Sequence, residues 1–145
     1  MYNFELDDGL AIPRTITALK RQCRKNKIKI KRAPFTLWSY VFYPDDLFGI
    51  GKAEIVASRN VFGKITCLDV KYCDLLRGKK TVANSFIQVN GALISRFGSP
   101  DESGGSIAGD DVYYVWYLDG DGVKIRHSIF ERFGSMEYLR FEFLR

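Results

Sequence analysis

The sequence offers few side chains that could act as a nucleophile, a general base or a metal ligand. His127 is the only histidine, and it lies within Lys124–Ser128, an alternating run that is typical of a strand. Alternation places His127 on the face of Ile125 and Ile129, where a histidine packs more often than it catalyses. No pair of carboxylates stands out for acid–base work. We therefore predict that the chain is not an enzyme.

The three cysteines, Cys23, Cys67 and Cys73, have no short paired spacing. This favours free thiols over a disulfide framework and fits a reducing compartment. With a single histidine, the sequence does not predict a metal site. The acidic turn Asp119–Gly122 lacks the later ligands of a calcium loop, and the glycine-rich loop after Ser99 lacks a phosphate-binding ending. We predict no cofactor.

The basic residues are concentrated early in the chain. Residues 1–80 carry 16 Lys/Arg against 8 Asp/Glu, whereas residues 81–145 carry 6 against 9. Eight of the thirteen residues in 20–32 are Lys or Arg, and aromatic residues follow. Such a segment could bind single-stranded nucleic acid by phosphate neutralisation and base stacking. The candidates for that function are Lys29, Lys31, Arg32, Trp38, Tyr40 and Phe42. The segment could equally be a solvated helix face, or meet an acidic protein.

Hydrophobic periodicity predicts two helices that would position these residues. The first begins at Pro13 and carries an apolar stripe, and the second runs from Thr81 to Arg96 and stops at Gly98. The stripes are Ile12, Ile16, Leu19 and Cys23 in the first helix, and Phe86, Val89, Leu93 and Phe97 in the second.

Alternating or β-prone runs predict strands between and after the helices. These runs are Lys27–Lys31, Phe35–Tyr43, Lys52–Ser58, Lys64–Tyr72, Val112–Leu118, Val123–Phe130 and Met136–Leu144. The polar, glycine-rich stretch Asp101–Asp110 is predicted to be a loop, and Asp119–Gly122 a hairpin turn.

The two halves of the sequence are alike. Placing Phe62–Gly63 on Phe133–Gly134 superposes Leu68 on Leu139 and the first helix on the second. This predicts an α+β fold of two helix-plus-antiparallel-meander units that share one core, with a mostly antiparallel sheet. We expect a single domain over 1–145, with halves at about 10–75 and 80–145.

The second half also carries a family-like pattern. A helix ending in Leu93–Pro100 is followed by a variable loop, the aromatic strand Tyr113–Tyr117 and two further strands. Over residues 80–145 this resembles small bacterial immunity proteins, which neutralise toxins delivered by contact-dependent or type VI systems. The resemblance implies a protein that binds one cognate toxin domain in the cytoplasm and blocks its active site with a charged surface. Against a nuclease toxin that surface is expected to be acidic, which the loop 99–111 would supply.

Our first hypothesis is therefore a cytoplasmic immunity or inhibitor protein that occludes a cognate toxin domain. The start Met1–Asp8 lacks signal-peptide features, and no apolar run reaches the roughly 20 residues of a membrane span. The candidate contacts are Asp101, Glu102, Asp110 and Asp111 on the loop, with Lys20, Arg24, Lys25 and Lys27 as the oppositely charged patch. A nucleic-acid-binding module is the alternative, and an enzyme comes third.

Overall fold

The computed structural model describes residues 3–34, 36–105, 112–130 and 136–144. Its elements are β1 (Phe4–Asp7), β2 (Leu10–Ile12), α1 (Ile16–Lys25), β3 (Ile30–Arg32), β4 (Ser39–Phe42), β5 (Ala53–Arg59), β6 (Ile65–Tyr72), α2 (Cys73–Leu76), α3 (Val82–Phe97), β7 (Glu102–Gly104), β8 (Val112–Leu118), β9 (Val123–Phe130) and β10 (Met136–Phe143). Strands β1 and β2 form a small hairpin. The other eight form one antiparallel sheet in the order β3-β4-β5-β6-β10-β9-β8-β7. The predicted α+β fold is confirmed.

Each half of the chain builds one half of this sheet. The halves contribute a four-stranded meander each, and their last strands, β6 and β10, pair at the centre. Shifting β6, residues 65–72, by 71 positions gives 136–143, the bounds of β10. The two predicted units therefore form a continuous sheet. The Phe133–Gly134 pair used for that alignment lies outside the described residues.

Both long helices pack on the same face of the sheet. One row of paired residues on that face runs through Ala57, Leu68, Phe141 and Ile125, and all four are buried. Side chains from α1 and α3, such as Leu19 and Leu93, belong to the same core cluster. The alternate strand residues point to the opposite face, as the period of two in a strand requires.

Helix α1 begins three residues later than the Pro13 start predicted from the sequence. Thr15 caps it, because its side-chain oxygen accepts a hydrogen bond from the backbone N–H of Ala18 at 3.2 Å. The predicted stripe residues of α1 are buried, but Ile12 belongs to β2 and reaches the core from there.

Helix α3 matches its predicted bounds within a residue. Thr81 accepts a hydrogen bond from the backbone N–H of Asn84 at 3.2 Å, and the helix ends at Gly98, whose φ is +85°. A β-carbon is disfavoured at that φ, so glycine suits the position. The Trp116 indole N–H donates to the Gly98 carbonyl at 2.8 Å, which joins the end of α3 to β8.

The N-terminal hairpin closes one end of the core and had no counterpart in the sequence prediction. The Phe4 ring lies 6.2 Å from that of Phe97 and 6.0 Å from those of Phe141 and Phe143. Two short elements, α2 and β7, were also not predicted, and β7 lies within the stretch expected to be a loop. In the described ranges, no helix has the length and apolarity to cross a membrane.

Candidate functional site

Two of the predicted acidic contacts, Asp101 and Glu102, lie at one edge of the sheet. Asp101 Oδ2 accepts a hydrogen bond from the backbone N–H of Tyr117 at 2.7 Å, and Glu102 Oε1 accepts one from the Tyr117 hydroxyl at 3.3 Å. Both carboxylates thus help to hold edge strand β7 against β8. Asp110 and Asp111 lie outside the described residues.

The predicted basic contacts lie at the other edge. Helix α1 packs beside β3, the opposite edge strand. The basic contacts on and just after this helix are Lys20, Arg24, Lys25 and Lys27. Seven strand spacings separate β3 from β7, which is about 34 Å. The structure therefore does not bring Asp101 and Glu102 together with the basic contacts into one compact site, and only a partner that spans the sheet would touch both groups.

The basic edge is part of a larger region without carboxylates of its own, here called the electropositive lobe. Residues 9–44 contain nine Lys or Arg and no Asp or Glu. Residues 55–68 contain two Lys or Arg and likewise no Asp or Glu. These ranges include α1, β3, β4 and the turn between β5 and β6, which lie together in the first half of the sheet. A concentration of positive charge of this kind attracts anionic partners.

Five side chains of this lobe form one cluster, here called the Tyr40 cluster, whose members are Lys20, Arg32, Trp38, Tyr40 and Arg59. Lys20 Nζ donates to Tyr40 Oη at 3.0 Å and lies 4.2 Å from the centre of the Tyr40 ring. Arg32 is the residue directly opposite Tyr40 across the β3–β4 pair. The Arg59 guanidinium carbon lies 4.8 Å from the Trp38 ring centre. The cluster thus joins α1, β3, β4 and β5.

The cations of this cluster act on the Tyr40 hydroxyl. The hydrogen bond from Lys20 lowers the pKa of Tyr40 below the ordinary tyrosine value, and the charges of Lys20, Arg59 and Arg32 add to this. None of the three cations forms an ion pair with a carboxylate in the described part of the chain. Their positive charges are therefore available to an incoming anion.

Exposed apolar side chains adjoin the cluster. They are Leu37, Trp38, Val61 and Phe62, here called the apolar tip, with exposed fractions of 61%, 45%, 69% and 83%. Two loops supply them, and the loops meet where the backbone N–H of Arg59 donates to the Trp38 carbonyl at 2.8 Å. Asn60 Oδ1 accepts hydrogen bonds at 3.0 Å from the backbone N–H groups of Phe62 and Lys64, which fixes the second loop.

The structure corrects the predicted role of one nucleic-acid candidate, Phe42. Alternation does place Trp38, Tyr40 and Phe42 toward one face, but that face turns toward α1. Phe42 is therefore fully buried in the core and cannot stack on a base. Trp38 precedes the strand and stays open, whereas Lys29 and Lys31 are exposed on the alternate positions of the β3 segment.

Sequence reasoning missed several residues of this surface. Val61 and Phe62 lie in the segment predicted only as a connection between strands, and Arg59 ends β5 one residue beyond the predicted strand. Lys64 and Leu37 fall within the predicted strands Lys64–Tyr72 and Phe35–Tyr43 and were not proposed as contacts. The lack of Asp and Glu in residues 55–68 was the available signal, because it matches the lack in residues 9–44.

His127 lies in a buried chain of hydrogen bonds beneath α3. His127 Nε2 is 2.5 Å from Glu137 Oε2, and Nδ1 is 3.1 Å from Asn90 Oδ1. The Ser85 hydroxyl donates to the other Glu137 oxygen, and the Phe86 ring stacks on His127 with centroids 4.3 Å apart. His127 is thus bonded to Glu137 and Asn90, whereas Ser85 is bonded to Glu137.

The hydrogen bonds among Ser85, Glu137 and His127 differ from the nucleophile–base arrangement of nucleophilic catalysis. The hydroxyl bonds to the carboxylate and not to the imidazole, so His127 is not placed to take its proton. His127, Ser85 and Glu137 are all buried, and the cavity that Glu137 lines measures about 10 Å³, room for one water. These hydrogen bonds hold α3 against β9 and β10.

A wider cavity of about 720 Å³ lies between the N-terminal hairpin, α3 and the loop before β5. Its charged lining residues are Asp7, Asp8, Asp46 and Arg96, and Arg96 approaches Asp8 at 3.0 Å and Glu5 at 3.4 Å. This ion network ties α3 to the hairpin. Across the described ranges, no three His, Cys, Asp or Glu side chains converge to hold a metal ion.

The comparisons with known proteins do not assign this chain to a family. No protein-family model matches the chain, and no curated protein or solved structure matches it at a significant level. The resemblance to immunity proteins therefore remains a prediction from the sequence pattern.

Proposed function

We propose that this chain is a binding protein that covers an acidic surface of a protein partner with its electropositive lobe. The observation that carries this proposal is the apolar tip, four exposed side chains next to cations that have no carboxylate partner among the described residues. Protein interfaces place aromatic and apolar anchors at the centre and charged groups at the rim, and a few such anchors dominate affinity. The positive field would speed the encounter.

Within this class, a toxin-neutralising immunity protein is the specific proposal. A basic surface fits a toxin domain whose active-site rim is acidic, and occlusion of that rim would block the substrate. The acidic edge at Asp101 and Glu102 lies about 34 Å from the basic edge, so it is a separate surface and not part of the primary contact.

The test measures affinity for a candidate toxin domain, such as one encoded beside this chain, with matched surface substitutions. Val61 and Ile87 are both β-branched and both 69% exposed, but Ile87 lies on α3, outside the lobe. We expect Val61→Ser and Phe62→Ser to weaken binding at least about ten-fold, while Ile87→Ser leaves it unchanged. Val61→Ser and Phe62→Ser should also reduce the protection of cells that express the toxin, and Ile87→Ser should not. Equal effects at Val61 and Ile87 would reject the apolar tip as the contact.

A second candidate function is binding of single-stranded nucleic acid. The observation in its favour is that Trp38 and Phe62 expose aromatic rings next to the cations Arg32 and Arg59. Base stacking and phosphate contacts of this kind give affinity that falls steeply with salt. A salt titration with a labelled oligonucleotide tests it, using charge reversals at Arg32 and Arg59. Binding that is absent at low salt, or unaffected by these reversals, would exclude this candidate.

A further inference from the structure

The Tyr40 hydroxyl does not donate its proton to any described side chain or backbone group. Its oxygen accepts a hydrogen bond from Lys20 Nζ at 3.0 Å, which orients the lysine. The structure shows no described acceptor for the hydroxyl proton. Because residues 9–44 and 55–68 contain no carboxylate, the acceptor that suits this position is an oxygen anion from outside the chain.

Cations from three elements lie around Tyr40, and Lys20 is the one bonded to its hydroxyl. Lys20 comes from α1, Arg32 from β3 and Arg59 from the end of β5, and the charges of all three act on Tyr40. Two of them are arginines, whose planar guanidinium groups match the two oxygens of a carboxylate or the oxygens of a phosphate. Arg59 is oriented by two contacts, its 4.8 Å approach to the Trp38 ring and a 3.0 Å hydrogen bond to the Asn60 carbonyl.

We propose that Tyr40, Lys20, Arg32 and Arg59 form an oxyanion-binding point that takes a carboxylate of the partner protein. The inference rests on the proposed function and names the group that the partner must present. A carboxylate is favoured over a phosphate because Leu37 and Val61 next to this point are exposed aliphatic side chains, which suit a folded protein surface. The partner residue is thus an Asp or Glu next to an apolar pocket.

The test uses a deca-glutamate peptide and an oligothymidylate of equal length as probes on the full chain. Trp38 fluorescence reports binding, because Trp38 is 45% exposed whereas Trp116 is 1% exposed. Tyr40→Phe removes only the hydroxyl. Arg59→Gln removes one cation of the cluster, and Arg21→Gln removes one exposed cation of the same lobe outside the cluster, so the two variants carry the same net charge.

We expect Tyr40→Phe and Arg59→Gln to weaken deca-glutamate binding about ten-fold, as loss of a hydrogen bond to a charged group does, and Arg21→Gln by less than about two-fold. Equal losses for Arg59→Gln and Arg21→Gln would overturn the proposal, since the lobe would then act as a diffuse field. Binding of oligothymidylate but not of deca-glutamate would also overturn it.

The same variants separate this inference from the proposed function. If Tyr40→Phe and Arg59→Gln match the Arg21→Gln control while Val61→Ser still weakens the partner complex, only the oxyanion point is wrong. If the cluster variants weaken deca-glutamate binding but Val61→Ser leaves the partner complex intact, the oxyanion point holds and the apolar tip is not the protein contact.

Discussion

Arg140 and Asp69 face each other across the central strand pair and form a two-pronged ion pair. Arg140 Nε lies 2.8 Å from Asp69 Oδ1, and Nη2 lies 3.2 Å from Oδ2. The two residues are direct register partners, and their numbers differ by 71, the offset that relates the two halves. A pseudo-twofold axis normal to the sheet therefore passes between them. The equivalent position carries a carboxylate in one half and a guanidinium in the other.

The first prediction concerns this ion pair. The Arg140 side chain is 35% exposed and the Asp69 side chain is 26% exposed. We therefore expect Asp69→Ala or Arg140→Ala to cost only about 1 kcal/mol of unfolding free energy. The hydrogen bond to Asp69 raises the pKa of Arg140, which stays charged throughout the accessible pH range. A double-mutant cycle in urea measures the coupling. Purely additive losses would show that the pair does not act as a unit.

The fold was largely predictable from local patterns, whereas the site was not. The 71-residue offset anticipated the relation between β6 and β10, because both strands carry the same alternation. Alternation also placed Phe42 and Trp38 on one face, but it does not reveal whether a helix covers that face. The packing of Phe4 on Phe97 depends on contacts distant in sequence, which no local period encodes.

The second prediction concerns the buried chain beneath α3. Glu137→Ala and His127→Ala should each destabilise the protein by about 3 kcal/mol, because each leaves a buried polar partner without its bond. Ser85→Ala should cost about 1 to 2 kcal/mol, since Glu137 keeps its bond to His127. Urea unfolding measures these losses. An Asn84→Ala variant on the exposed side of α3 is the control, and equal losses there would contradict a specific role for the chain.

The third prediction concerns thiol reactivity. Burial raises the pKa of the Cys23 thiol to about 11, whereas Cys67 and Cys73 are only half-buried. The thiolate is the reactive form, so at pH 8 a disulfide reagent should modify Cys67 and Cys73 first. Cys23 should react at the rate of unfolding. Mass spectrometry of the adducts over time checks this order, and early labelling of Cys23 would contradict it.

The fourth prediction concerns alkaline stability. Burial raises the pKa of Tyr72 above its ordinary value, with a smaller effect from the nearby Asp7 charge, and its hydroxyl donates to the Leu47 carbonyl at 3.0 Å. Above about pH 10 an unfolded tyrosine loses its proton while folded Tyr72 keeps it. The unfolded state then binds fewer protons, so stability falls as pH rises.

Unfolding curves between pH 8 and 11, at about half-unit steps, measure this effect. Tyr72→Phe should be about 1 kcal/mol less stable at pH 8, because it loses the bond to Leu47, and its stability should fall less at higher pH. A Tyr117→Phe variant is the exposed comparison. An unchanged alkaline decline in Tyr72→Phe would show that other groups cause it.

The central β6–β10 pairing has a consequence for the connection between the halves. That connection consists of α2, which is half-buried up to Leu75, and residues 77–81, which are exposed except for the half-buried Lys80. A break in this linker would leave every strand contact of the eight-stranded sheet in place. Fragments on either side of it are therefore suited to complementation, and two intact chains could exchange halves through the same contacts. Proteolytic nicking at this linker would then give a two-piece molecule that stays assembled until it is denatured.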